Sequence, residues 1–203
     1  MPTRRHATAL LACGLALLTA GPAQAQDYPA KPITLVVGYP PGGSTDLMGR
    51  LVGAELSTRL GQPVVIENLG GAGGTIGAQK VASAAPDGYT LLVGANNELA
   101  IAKLVTKTVK YDPASFTPIG LIGSQPMVLV AATSTGVKNA SDFTQLVKKN
   151  PGKFSYGSSG VGTALHLAGE MVKEQAGLFM THIPYRGVAP LTNDLVGNNL
   201  EFG

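Results

Sequence analysis

Ile33-Thr34-Leu35-Val36-Val37-Gly38-Tyr39-Pro40-Pro41-Gly42-Gly43-Ser44-Thr45-Asp46 is the stretch that decides the fold class. Residues 33–38 are a short, β-rich and largely apolar run, the composition of a strand buried on both faces. A Pro-Pro-Gly-Gly turn follows. Ser44 and Asp46 are residues that open helices. Leu47, Met48, Leu51, Val52 and Ala54 then recur at helical spacing, and Gly61 sits where a C-terminal cap belongs. Strand, glycine turn and helix, in that order, begin a βαβ unit. The N-terminus of such a helix offers unpaired N–H groups and the positive pole of its dipole. Glycines allow an anion to approach that backbone closely.

The same order repeats. Residues 63–67 predict a strand, 68–74 (Asn-Leu-Gly-Gly-Ala-Gly-Gly) a turn, and 75–84 a helix. Pro86-Asp87-Gly88 is a tight turn. Residues 90–93 predict a third strand, and a helical run follows Gly94-Ala95-Asn96-Asn97 to about Val105. This is βαβαβ, the grammar of a parallel sheet with helices on its faces. Tyr111-Asp112-Pro113 interrupts it. Strands are expected at 116–122 and 127–131, with a crossover to a second unit at 123–127. Beyond it, Ser141-Asp142 opens a helix to Lys149, and 153–157 reads as a strand. The turn Tyr156-Gly157-Ser158-Ser159-Gly160-Val161-Gly162-Thr163 leads into a helix over 163–175 that Gly177 stops. A strand at 180–185, a helix at 188–196 and the start of another strand at Leu200 complete the series. The expected class is α/β, with lobes at 26–125 and 126–203 and a cleft between them.

The first 25 residues read as a leader. Arg4 and Arg5 form a positive start, residues 7–20 an apolar run too short to span a bilayer, and Ala23-Gln24-Ala25 an A-x-A cleavage site. The arginine pair leaves Sec and twin-arginine export both open. Cleavage after Ala25 removes Cys13, the only cysteine, so an exported domain without disulfides is expected to rely on its core. It also leaves 13 Lys and Arg against 12 acids, so the formal charge falls from +3 to +1.

Composition excludes several function classes. With no Trp, aromatics at 5% and no basic stripe, nothing points to nucleic acid. Gly71-Ala72-Gly73 and Gly160-Val161-Gly162 begin like dinucleotide fingerprints, but their sixth positions are Ile76 and Leu165. No Gly-Lys-Ser/Thr sequence forms a phosphate loop. Residues 157–161 approach a nucleophile elbow, but Val161 stands where its second glycine belongs. A secreted serine hydrolase using Ser158 or Ser159 is therefore the alternative reading, the weaker of the two. His166 and His182, far apart in sequence and without clustered acids, give no metal-ligand spacing, and neither a metal nor a cofactor is expected.

The two glycine turns look like two jaws closing on an anion, a receptor's arrangement and not a catalyst's. Several residues keep two roles open. His166 either donates to a ligand or fixes its turn. Asp46 either complements its helix dipole or pairs with a ligand amine. Arg186, after the 180–185 strand, either pairs with a carboxylate or is a solvated charge.

Taken in order, these motifs resemble the solute receptors of tripartite tricarboxylate transporters, the Bug-type family. They are Tyr-Pro-x-Lys-Pro-Ile at 28–33, Pro-Gly-Gly-Ser-x-Asp at 41–46, Asn-x-Gly-Gly-Ala-Gly-Gly at 68–74 and Ala-Pro-Asp-Gly-Tyr-Thr-Leu at 85–91. Tyr-Asp-Pro at 111–113, Phe-Thr-Pro-Ile at 116–119, the turn at 156–163, His-Leu-Ala-Gly-Glu at 166–170 and His-Ile-Pro-Tyr-Arg-Gly at 182–187 follow. The resemblance implies a periplasmic-binding-protein fold (type II-like), working as a monomer. It implies capture of a small organic acid: a di- or tricarboxylate, an acidic amino acid or an aromatic acid. Delivery would be to membrane permease subunits, or the closed form would be read by a sensor kinase. Carried onto this sequence, Tyr39, Pro41, Gly42, Gly43, Ser44 and Asp46 line one jaw. Ser158, Gly160, Gly162, Thr163 and His166 line the other, with Asn96, Tyr185 and Arg186 at the cleft. Two departures stand out. Asn96-Asn97-Glu98 replaces the small and hydroxyl residues usual in that loop. Family members also continue through a further strand–helix series that completes both lobes, so the chain reads as truncated.

Overall fold

In the computed structural model, residues 27–203 are described; the expected leader at 1–25 and Cys13 lie outside them. The elements all fall within one unit, residues 31–203. Strand β1 (Ile33–Val37) is followed by helix α1 (Ser44–Leu60), β2 (Val64–Asn68), α2 (Thr75–Ala82) and β3 (Thr90–Val93). All three strands pair in parallel in the order β2-β1-β3, with Leu35 opposite both Ile66 and Leu91. The central place of β1 explains its composition: Ile33, Leu35, Val36 and Val37 are all buried, because helices cover both faces.

Helix α1 does not pack as its apolar spacing suggested. Leu47, Met48 and Leu51 are exposed, and the buried positions are Asp46, Gly49 and Gly53. A Cβ on Gly49 would stand 3.1 Å from Val37 Cγ2, and one on Gly53 3.0 Å from Ile66 Cδ1. The helix lies on the sheet through its glycines, where a Cβ would press on the Val37 and Ile66 methyls more tightly than an ordinary contact. Gly61 caps it in the left-handed conformation (φ 66°).

A π-helical turn, Asn97–Ile101, runs into the short α3 (Ala102–Val105). The strands expected at 116–122 and 127–131 are absent, and residues 117–130 are exposed throughout. Their apolar side chains have no sheet neighbour to pair with. Only Ala131 makes a bridge, antiparallel to Phe202, flanked by hydrogen bonds between Val130 and Gly203.

The second sheet is smaller. Helix α4 (Ala140–Lys149) is capped by Asn139, whose side chain accepts from Asp142 N–H, and not by Ser141-Asp142 as expected. Strand β4 (Ser155–Ser158), α5 (Ala164–Ala176), β5 (Thr181–Pro184) and α6 (Val188–Val196) follow, with β4 and β5 parallel. Leu200 opens no named strand; Phe202 alone bridges Tyr156 in parallel as well as Ala131. Phe202 is fully buried, edge-on to Phe143 (centroids 4.9 Å apart) and Phe154, in a core with Val147, Tyr156, Leu178 and Met180. The first sheet has a separate core of Ile33, Leu35, Val37, Tyr39 and Val93.

Candidate functional site

In parallel sheets the crevice lies beyond the carboxyl ends of the strands. Five loops leave those ends here, and they meet. A Cβ on Gly73, after β2, would be 3.1 Å from Thr163 Cγ2, after β4. A Cβ on Gly187, after β5, would be 2.9 Å from Pro40 Cδ, after β1, and one on Gly42 would be 3.8 Å from Ala189 Cβ. The loop after β3 joins through Asn97, whose Oδ1 accepts from Ala164 N–H at 2.8 Å.

The turn after β1 is organised by Asp46. Its carboxylate is buried and accepts from Gly42 N–H (2.9 Å), Asn68 Nδ2 (2.8 Å) and Arg50 Nε (2.9 Å). These bonds, that of Arg50 first, hold its pKa down at about 2. Asp46 thus fixes the turn with both oxygens of its carboxylate engaged inside the fold. Gly43 is the buried N-cap of α1, Pro41 and Gly42 are exposed, and Ser44 Oγ accepts from Gln125 Nε2 at 2.9 Å.

Tyr39 points inward. Its hydroxyl donates to Glu98 Oε2 at 2.7 Å, lies 3.1 Å from Gly73 O, and accepts from Asn97 Nδ2 at 2.9 Å. Burial, reinforced by the neighbouring Glu98, pushes the Tyr39 pKa well above its ordinary range. Glu98 is wholly buried; its second oxygen accepts from Ala95 N–H at 2.7 Å, and burial raises its pKa. Asn96 is exposed, while its neighbours Asn97 and Glu98 hold the loop. Sequence reading marks both only as a departure from the family's usual loop and assigns neither a contact. The available signal was an acid at the head of the apolar run 99–102 that follows β3.

The turn after β4 is equally self-contained. Thr163 caps α5, its Oγ1 accepting from His166 N–H (3.4 Å) and donating to Gly160 O (2.8 Å). His166 Nδ1 accepts from Gly162 N–H at 3.0 Å, which fixes the turn. Gly160 and Gly162 have φ of 137° and 76°, conformations that need glycine. His166 and His182, distant in sequence, are stacked with ring centroids 4.1 Å apart, and His182 stacks on Tyr156 in turn. Burial, then the adjacent His166, lowers the His182 pKa.

Ser158 Oγ lies 2.7 Å from His182 Nε2, the pairing a serine nucleophile requires. Yet Ser158 has no exposed surface. Its oxygen also accepts from Gly160 N–H (3.2 Å) and lies 3.1 Å from Gly160 O. With the His182 proton on Nε2, every capacity of the hydroxyl is spent on the turn. No carboxylate hydrogen-bonds His182 among the described residues, so nothing there orients an activating base. Tyr185 donates to Asp194 Oδ2 at 2.7 Å, and its N–H bonds Ser158 O, tying the β5 loop to the β4 loop. Arg186 is exposed. Among the described residues no cluster of three or more His, Cys, Asp or Glu has metal-site geometry.

The space between the 72–73 and 161–163 turns is about 10 Å³, bounded also by Asn97, Ala102, Val105 and Thr106. That is at most one water and too small for a carboxylate. A larger surface hollow of about 290 Å³ lies elsewhere, between residues 135–137 and α4.

The family model described as "Tripartite tricarboxylate transporter family receptor" matches residues 48–202. A UPF0065 protein of Bordetella pertussis is 42% identical over 186 residues, covering 92% of this chain and 56% of the relative. Among solved structures, an R. palustris protein bound to adipate superposes with a TM-score of 0.84 at 37% identity, covering 87% of this chain and 59% of that one. MatC from Rhodopseudomonas palustris, solved with bound malate, gives 0.80 at 33% identity, covering 86% and 60%. The chain therefore spans less than two thirds of the length of each. With strand–glycine turn–helix units, two parallel sheets and these matches, the chain belongs to the tripartite tricarboxylate transporter receptor family and shares, over the part it spans, the α/β fold of periplasmic binding proteins.

Proposed function

We propose that this protein is a periplasmic receptor that captures a small organic carboxylate at the five-loop junction and delivers it to a membrane permease. The supporting observation is the convergence of both glycine turns, each opening a helix, at the carboxyl ends of parallel strands. Family relatives solved with adipate and malate make dicarboxylates the first ligands to try. In this reading, residues 26–125 and 126–203 supply opposing lobes. The N–H groups of Gly43, Ser44 and Val161, which the bonds inside the two turns leave over, would be offered to the carboxylate, and Arg186 would add its long-range charge. Asp46, Tyr39 and Tyr185 act behind them, holding the turns in shape.

The test is a thermal-shift and calorimetric screen of the protein against adipate, malate, citrate, glutamate and benzoate. An acid at about a hundred times its dissociation constant adds roughly 2.7 kcal/mol of stability. A selective shift for one class supports the receptor reading. A cooperative melt that no acid moves, with no heat of binding, overturns it.

A further inference from the structure

Of the approaches between the loops of the two sheets, one is a hydrogen bond from a single side chain. Asn97 is 9% exposed, and both ends of its amide are engaged. Nδ2 donates to the Tyr39 hydroxyl, which is anchored on Glu98. Oδ1 accepts at 2.8 Å from Ala164 N–H, the first residue of the 13-residue α5. That N–H belongs to the set a helix leaves without an internal partner, and it faces where the dipole favours negative charge. The carbonyl oxygen of Asn97 therefore occupies a position suited to a carboxylate oxygen.

The neighbouring donors of the turn are satisfied locally: Gly160 N–H by Ser158, Gly162 N–H by His166 and Thr163 N–H by Gly160. Among the described residues, Asn97 is the one first-sheet loop side chain that hydrogen-bonds a backbone donor of this turn. The gap it helps close holds about 10 Å³. An acid can therefore reach the α5 terminus only after Asn97 withdraws.

We propose that Asn97 is an internal surrogate for the ligand's carboxylate, a latch that shuts the junction and must be displaced on binding. This rests on the receptor reading for its ligand, but the latch itself is a property of the chain. It sets a threshold: an acid binds only if it satisfies Ala164 N–H better than a neutral amide does. Carboxylates, which make stronger charge-assisted bonds, pass; neutral amides and alcohols do not.

The experiment compares wild type with Asn97→Ala and Asn97→Asp. Amide hydrogen exchange is read by NMR, and adipate and malate are titrated by calorimetry. In Asn97→Ala, exchange at Ala164 should accelerate about tenfold or more while Ala168 and later α5 amides stay unchanged. Asn97→Asp keeps the acceptor and should leave Ala164 protected. Whichever acid wild type binds should bind Asn97→Ala roughly three- to tenfold tighter, the worth of one displaced neutral hydrogen bond. It should bind Asn97→Asp at least tenfold more weakly, because a built-in carboxylate holds the position. If Asn97→Ala fails to fold, Asn97→Ser, too short to reach Ala164, takes its place. Unchanged Ala164 exchange, or unchanged or weaker acid binding in the shortened variant, overturns the latch. If neither acid binds any form, the receptor reading fails for these acids, while the exchange data still decide whether the latch exists.

Discussion

Replacing Asp46 by Asn should cost about 1–2 kcal/mol at pH 7, a cost that fades in acid. The two side chains have the same size, so the change isolates the charge. Three donors converge on the Asp46 carboxylate, from Gly42, Asn68 and Arg50. An Asn amide keeps one acceptor but turns an NH2 group towards a site already filled with donors. The pKa is lowered from its ordinary 3.8 to about 2, which corresponds to roughly 2 kcal/mol favouring the ionised form in the folded chain. Arg50 has a half-exposed side chain, 52% accessible, so solvent screens part of its share. A folded-state pKa below the unfolded one means the stabilisation is fully present above about 3.8 and lost as pH falls through about 2. Urea denaturation of both proteins at pH 7, 4, 3 and 2 measures this directly. The midpoints should differ most at pH 7 and converge towards pH 2. Equal stability at pH 7, or a gap that persists unchanged at pH 2, would refute the reasoning and leave Asp46 without an energetic role in the turn.

Phe202→Ala removes a fully buried ring from among Phe143, Phe154, Val147 and Met180, and should cost about 3–5 kcal/mol by denaturant unfolding; a loss under 1 kcal/mol would mean the ring is not seated in that core. His182 should titrate below its ordinary 6.5 in an NMR pH series, because burial and then His166 disfavour its charge. Its folded pKa is depressed, so its contribution is complete above 6.5 and declines as pH falls below it; a midpoint at or above 6.5 would contradict the stacked geometry.

The first sheet was legible because each of its signals was local. An apolar run, a glycine turn and a capped helix are read within about a dozen residues, and β1–β3 with α1 and α2 follow that reading to within two residues at each end. Residues 116–131 misled for the opposite reason. Apolar composition describes a segment fit to be a strand, but a strand exists only beside a partner. Ile119, Leu121 and Val128 find none among the described residues. The face of α1 misled because hydrophobic spacing cannot see that Gly49 and Gly53 let the backbone itself make the contact. At the site, the glycine turns and Thr163 announced themselves. Asn97 and Glu98 stood out only as a departure from the usual loop, with no role attached: what buries them is Tyr39 and the start of α5, both remote in the chain. The His166–His182 stack was hidden likewise, since it depends on β4 and β5 pairing with Tyr156 opposite His182.

The double bridge of Phe202 has a consequence for how the protein is made. Its backbone joins Ala131 on one side and Tyr156 on the other, and its ring fills the centre of the second core. Synthesis proceeds from the N-terminus, and domains form as their residues emerge from the ribosome. The three described strands β2, β1 and β3 are all out once Val93 is. The β4–β5 half must wait for residue 202, with Phe143, Val147 and Met180 meanwhile lacking the ring they pack against. A stalled ribosome carrying about 150 residues outside its tunnel should hold one protease-resistant sheet followed by a protease-sensitive tail.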